Sequence, residues 1–227
     1  MESQQLSAYR IAHSPEHPKG ILMPIDGSSV PPTHGPLSST ISPLLGRTYE
    51  ENDLEEWIAR RPASIFPDDG VEIIASQNYA HMIVKVDLLF LGPAPAFFVV
   101  EVKNCDVRRN GGVVPYDIYN RQMGSYLDFL RPYLDGYPDS HQNYYERFSR
   151  KFYGSPRSLP APAHDIRQQA PHIIEVYLAS GYDDYAIDYI LTQAQHDNRQ
   201  ARLVFYRFFA AERLISFHEI NPAPDRG

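Results

Sequence analysis

Apolar and polar positions along this chain repeat with periods that change from segment to segment, and those changes mark the elements. Leu54, Trp57 and Ile58 share one helical face, Thr48 can cap the start, and Glu50 and Glu51 suit the positive end of a helix dipole. A helix from about Tyr49 to Pro62 is therefore predicted. Three apolar runs follow, Val71 to Ser76, Met82 to Leu91 and Phe97 to Lys103, and they read as a meander of strands. Between the last two lies Gly92-Pro93-Ala94-Pro95-Ala96, a connection of hairpin length. Closing the hairpin there sets Leu91 against Phe97, Leu89 against Val99 and Asp87 against Glu101.

Ile118, Tyr119, Met123, Tyr126, Leu127 and Leu130 recur at helical spacing and predict a helix from Asp117 to Leu134. Residues 135–171, rich in Pro, Tyr and Arg, fit no single period and read as a long insertion with a short helix around Tyr144 to Phe152. Regular patterns return as a strand (His172 to Ala179), a helix (Asp183 to His196) and two strands (Ala201 to Phe208, Arg213 to Ile220). Residues 1–47 are broken by many prolines and read as an irregular Pro-rich N-terminal arm, in which Gly20 to Ile25 could add an edge strand. The expectation is one α/β domain over residues 48–221, with a mixed β-sheet of roughly four to six strands flanked by helices.

Composition narrows the function classes. Hydrophobic residues make up 43% and charged residues 22% of the 227, as in a soluble globular protein. No apolar run approaches the ~20 residues needed to cross a bilayer, so no membrane partner and a cytoplasmic location are expected. The lone Cys105 excludes an intrachain disulfide framework and a cysteine-rich zinc site. The histidines are scattered without ligand spacing, and no glycine-rich phosphate loop is present. A net charge of −7 is the wrong sign for coating nucleic acid through bulk electrostatics, so such a function needs a local basic patch or a metal at an acidic site.

The last two strands of the meander carry that acidic chemistry. Alternation puts Glu101 and Lys103 on one face of their strand, and the hairpin register makes Asp87 the cross-strand partner of Glu101, with Cβ atoms about 4.5–5.5 Å apart. Like charges placed opposite each other destabilise a sheet, and both lie in strands otherwise built of Val, Leu, Ile and Phe. A positive group should sit between them: Lys103, a bound cation, or both. Carboxylates on a solvated face, or paired with Lys85 or Lys103, would explain the same spacing.

Glu51-x-x-Leu54, Val86-Asp87-Leu88-Leu89, Val100-Glu101-Val102-Lys103 and Gln122-x-x-x-Tyr126, in that order, resemble the PD-(D/E)XK nuclease superfamily and its RecB-like branch. The resemblance spans about residues 48–131 and departs from the family at Val86, where the family name has proline. It implies a restriction-endonuclease-like fold and a nuclease dependent on Mg²⁺ or Mn²⁺. Glu51, Asp87 and Glu101 would bind metal, Lys103 would position the attacking water, and Gln122 with Tyr126 would support the site. Glu55, one turn after Glu51, could reach the same place; the family spacing favours Glu51.

Nucleic acid, with DNA as the expected substrate, is the partner this implies, and a homodimer or a larger defence or repair complex is the expected assembly. Arg147, Arg150 and Lys151, interleaved with Tyr144, Tyr145, Phe148 and Phe152, could hold phosphates and stack bases. The same pattern fits an amphipathic helix with its aromatics on the core. Arg108 and Arg109, just past the Glu101 strand, are placed to meet a phosphate. The alternative function is a catalytically inactive protein of the same fold that binds nucleic acid or a protein partner.

Overall fold

The computed structural model describes residues 2–26, 51–68, 70–77, 86–92, 96–108, 112–134, 139–158, 172–209 and 211–221. Ten strands are present among them: β1 (Glu2–Ser14), β2 (His17–Pro24), β3 (Glu72–Ser76), β4 (Leu88–Leu91), β5 (Ala96–Val102), β6 (Asp106–Val107), β7 (His172–Ala179), β8 (Gly181–Tyr182), β9 (Gln200–Phe209) and β10 (Leu214–Asn221). The α-helices are α1 (Glu51–Arg60), α2 (Gly124–Leu134), α3 (Asp139–Phe152) and α4 (Asp184–His196).

Eight strands form one mixed sheet in the order β2-β1-β10-β9-β7-β5-β4-β3, and β6 pairs with β8 beside it. The two parallel pairings, β5 with β7 and β7 with β9, lie at its centre, with antiparallel ribbons on either side. Central parallel strands are covered on both faces and so read as continuous apolar runs. β5 is an example: all seven of its residues are buried, Glu101 among them.

Helices and turns cover both faces. Phe90 and Phe98, paired across β4 and β5, pack edge-on against Phe66, which follows α1, with ring centroids 5.2 and 4.8 Å away. Tyr177, the register partner of Glu101, belongs to the other set and stacks on Tyr119 at 6.4 Å. α4 is capped by Asp183, whose carboxylate accepts from the Ala186 amide at 2.8 Å, and it buries Ala186, Ile187, Ile190 and Ala194. No helix among the described residues is long and apolar enough to cross a membrane.

Two expectations need correction. The stretch read as an irregular arm carries β1 and β2 over residues 2–24, a hairpin added beside β10, which brings the main sheet to eight strands. Register shifts between Gln5 and Ser7 and between Ala12 and Ser14 break the period-two alternation by which a strand is recognised. Ala8 and Tyr9, adjacent in sequence and in the regular stretch between the shifts, are both buried, so both faces of β1 are covered there. The hairpin is tied down by the Trp57 indole, which donates to the Gly20 carbonyl at 3.1 Å.

The helix expected from Asp117 to Leu134 is not uniform. Its first part, Asp117–Met123, is a seven-residue π-helical stretch, and ordinary α geometry resumes at Gly124. Thr48, proposed as the cap of the first helix, and residues 159–171 of the insertion lie outside the described residues.

Candidate functional site

The β4–β5 hairpin pairs Leu91 with Phe97, Phe90 with Phe98, Leu89 with Val99 and Leu88 with Val100. Asp87 is the next residue out, facing the Glu101 end of β5. One carboxylate oxygen of Asp87, Oδ2, accepts from the Val102 amide at 2.8 Å, which clasps the start of β4 to the end of β5. Its other oxygen, Oδ1, accepts from the Gln77 amide at 2.8 Å and from the Tyr126 hydroxyl at 3.2 Å. Gln77 follows the last residue of β3, and Tyr126 lies on α2.

The Gln77 amide nitrogen also donates to Glu55 Oε1 at 2.8 Å, so a single NH₂ group bridges a carboxylate of α1 and one at the start of β4. Lys103 forms an ion pair with Glu101 and donates to the Val102 carbonyl at 3.1 Å. Three carboxylates, Glu55, Asp87 and Glu101, thus gather with the Lys103 ammonium where α1, β3, β4, β5 and α2 meet. All three acids are buried, and the Lys103 side chain is 12% exposed.

Burial decides the electrostatics. Desolvation is the largest influence on Asp87 and raises its pKa well above the ordinary value; the charges of Glu101 and Glu55 raise it further, and Lys103 and the Val102 amide oppose them. The Tyr126 phenol is held in its neutral form by burial first, then by the charges of Asp87 and Glu101.

Among the described residues, no three His, Cys, Asp or Glu side chains stand close enough together to hold a metal ion. Gln77 lies between Glu55 and Asp87, and Lys103 lies on Glu101. The donor chemistry still fits a hard divalent cation: carboxylate oxygens are the ligands Mg²⁺ takes, and a cation would relieve the mutual repulsion that burdens Asp87. Glu55, Asp87 and Glu101 are the residues that would hold it, once Gln77 and Lys103 gave way and the three carboxylates drew closer together.

Glu51 opens α1, and its side chain lies outside the described residues; Glu55, one turn on, is the α1 carboxylate joined to Asp87 through Gln77. Gln77 was missed in the sequence. The one available signal was a polar residue closing an apolar strand, which is common at strand ends. Gln122 is half-buried in the π-helical stretch, where its carbonyl accepts from Ser125, and among the described residues its side chain reaches none of the carboxylates.

Around this cluster the expected phosphate contacts divide. Arg108 pairs with Asp106, and Arg109 lies outside the described residues. α3 is amphipathic: Tyr145 and Phe148 are buried in the core, whereas Arg147, Arg150 and Lys151 are exposed. The buried rings are not available to stack bases; the cations are available to phosphate.

Comparison with protein-family models, with curated proteins and with solved structures finds no match to this chain.

Proposed function

We propose that this protein is a Mg²⁺- or Mn²⁺-dependent nuclease of the PD-(D/E)XK superfamily, with a restriction-endonuclease-like core, that hydrolyses phosphodiester bonds in DNA. The observation that carries the proposal is the burial of Glu55, Asp87 and Glu101 in one electrostatically coupled cluster, with Lys103 paired to Glu101. Carboxylates in water-excluding surroundings cost several kcal/mol each unless compensated, so a fold does not accumulate them idly. A divalent cation, when bound, supplies stabilisation for charge on the phosphoryl oxygens and acidifies a water ligand.

The remaining work falls to the chain. Asp87 is fixed from three directions, by the Val102 amide, Gln77 and Tyr126, so its oxygens are oriented in advance. Lys103, on the more open side of the cluster, offers an ammonium to hold the attacking water or offset charge on the phosphate. The exposed cations of α3 provide phosphate contacts away from the reacting bond.

The test is incubation of the purified protein with labelled single- and double-stranded DNA and RNA in Mg²⁺ and in Mn²⁺. Cleavage by the parent should be lost in Asp87→Ala and Lys103→Ala proteins that keep the parent's circular dichroism. Equal cleavage by parent and variants rejects the site.

A second reading is favoured by one feature: the acids are already engaged internally, Glu55 and Asp87 by Gln77 and Glu101 by its ion pair with Lys103, and little of them meets solvent. A scaffold that binds nucleic acid or a protein partner without cutting would look like this. Divalent cations separate the two readings, since only the nuclease gains thermal stability from binding Mn²⁺.

A further inference from the structure

The π-helical stretch Asp117–Met123 leads directly into α2 and therefore sets where Tyr126 emerges. Wide i→i+5 turns are rare because they gain little by themselves, so a seven-residue run needs tertiary contacts to persist. Those contacts converge on Tyr119, which is fully buried in the middle of the run. Its hydroxyl donates to Asp197 Oδ2 at 2.7 Å and accepts from Arg199. The Arg199 guanidinium carbon lies 4.5 Å from the centre of the Tyr119 ring, and the same guanidinium holds Asp197 Oδ2 and buried Glu175 Oε1, each at 2.7 Å. Glu175 in turn accepts from the Tyr177 hydroxyl at 2.6 Å, and Tyr177 is the β7 residue in register with Glu101.

Tyr119 and Tyr126 are seven residues apart on one continuous helical path. Tyr119 is held over β7 and the turn before β9, and Tyr126 meets Asp87 at the start of β4. If the stretch relaxed to i→i+4 bonding, Tyr126 would swing around the axis by about 100°, one residue's step in an α-helix. Its hydroxyl would then leave Asp87.

We propose that Tyr119 is a positioning residue for the carboxylate cluster: anchored by Asp197 and Arg199, it keeps the wide-turn register that brings the Tyr126 hydroxyl onto Asp87. The proposal deepens the functional reading above and rests on Tyr126 belonging to that site. It adds a remote part of the site, reached through a helix rather than through contact with the acids.

The experiment uses the full chain with ¹³Cζ-labelled tyrosine, the Tyr126 resonance being assigned by its loss in Tyr126→Phe. In Tyr119→Phe the Tyr126 resonance should move toward that of free tyrosine. Asp197→Ala, at a partly exposed position, should move it the same way and serves if Tyr119→Phe does not fold. A Tyr126 resonance unchanged in the folded variants overturns the proposal, even if melting temperature falls, because that is the result of a merely structural role. Mn²⁺ affinity supplies the second readout: Tyr119→Phe should weaken it several-fold in the parent and not at all in Tyr126→Phe, whereas additive losses count against the proposal. If the parent binds no Mn²⁺, the nuclease reading fails, and the Tyr126 resonance still decides the positioning role.

Discussion

Replacing Asp87 by asparagine removes a buried acid whose pKa is raised by desolvation and by the charges of Glu101 and Glu55. A raised folded-state pKa fixes the sign of the pH effect. Below about pH 3.9 the group is protonated in folded and unfolded chains alike. As pH rises the unfolded chain releases that proton while the folded chain keeps it, so stability falls until the pH reaches the raised folded value. The slope inside that window is at most about 1.4 kcal/mol per pH unit, the free energy of one proton per tenfold change in its activity. For a chain of this size that limiting slope corresponds to a melting shift on the order of 3–6 °C per pH unit.

Other groups titrate in the same range. Buried Glu175 has a raised pKa and the same sign. His218, lowered to about 4 by burial and by Arg207, has the opposite sign, since it makes stability rise between about pH 4 and its ordinary value. The quantity to measure is therefore the difference in unfolding free energy between parent and Asp87→Asn, from urea titrations at fixed ionic strength between pH 4.5 and 8. The altered hydrogen bonds to Val102, Gln77 and Tyr126 contribute an offset that does not vary with pH. The difference should move in favour of Asp87→Asn as pH rises. A difference independent of pH refutes the electrostatic account of the cluster.

The roles of the two α1 glutamates separate by calorimetry: Glu55→Gln should lower Mn²⁺ affinity more than Glu51→Gln, and the reverse order would return the α1 ligand to Glu51. Gly20→Ala should lower stability by at least about 1 kcal/mol, because Gly20 has φ +89 and an added Cβ would sit 2.7 Å from Ile11 Cγ2; an unchanged melting temperature counts against the β1–β2 hairpin as drawn. Alanine at Arg147, Arg150 and Lys151 together should change stability by no more than about 0.5 kcal/mol for each substitution. It should also flatten the salt dependence of duplex DNA binding by about 0.9 in log–log slope for each phosphate that these cations neutralise in the parent. An unaltered slope removes α3 from the interface.

The hairpin was legible because two continuous apolar runs are joined by a short connection; register then follows from geometry, and with it the meeting of Asp87 and Glu101. β7, β9 and β10 were legible as apolar strand runs and α4 as a helical pattern, with bounds shifted by at most a residue. β1 was not, because two register shifts interrupt its alternation and, between them, Ala8 and Tyr9 are buried on opposite faces. The π-helical stretch was hidden as well: Ile118, Tyr119 and Met123 keep helical spacing, and the wide register depends on Asp197 and Arg199, which arrive from the far end of the chain. Gln77 has the same character. Its importance lies in touching Glu55 and Asp87 at once, a three-body arrangement that no local pattern announces.

The central claim is that Glu55, Asp87, Glu101 and Lys103 form a site for a divalent cation serving phosphodiester hydrolysis. Its most direct test is calorimetric titration of the purified protein with Mn²⁺, repeated on Asp87→Ala and Glu101→Gln. Saturable binding by the parent that is abolished or weakened at least tenfold in both variants, each still folded, is the result predicted here. No binding by the parent, or binding untouched by either substitution, would contradict it.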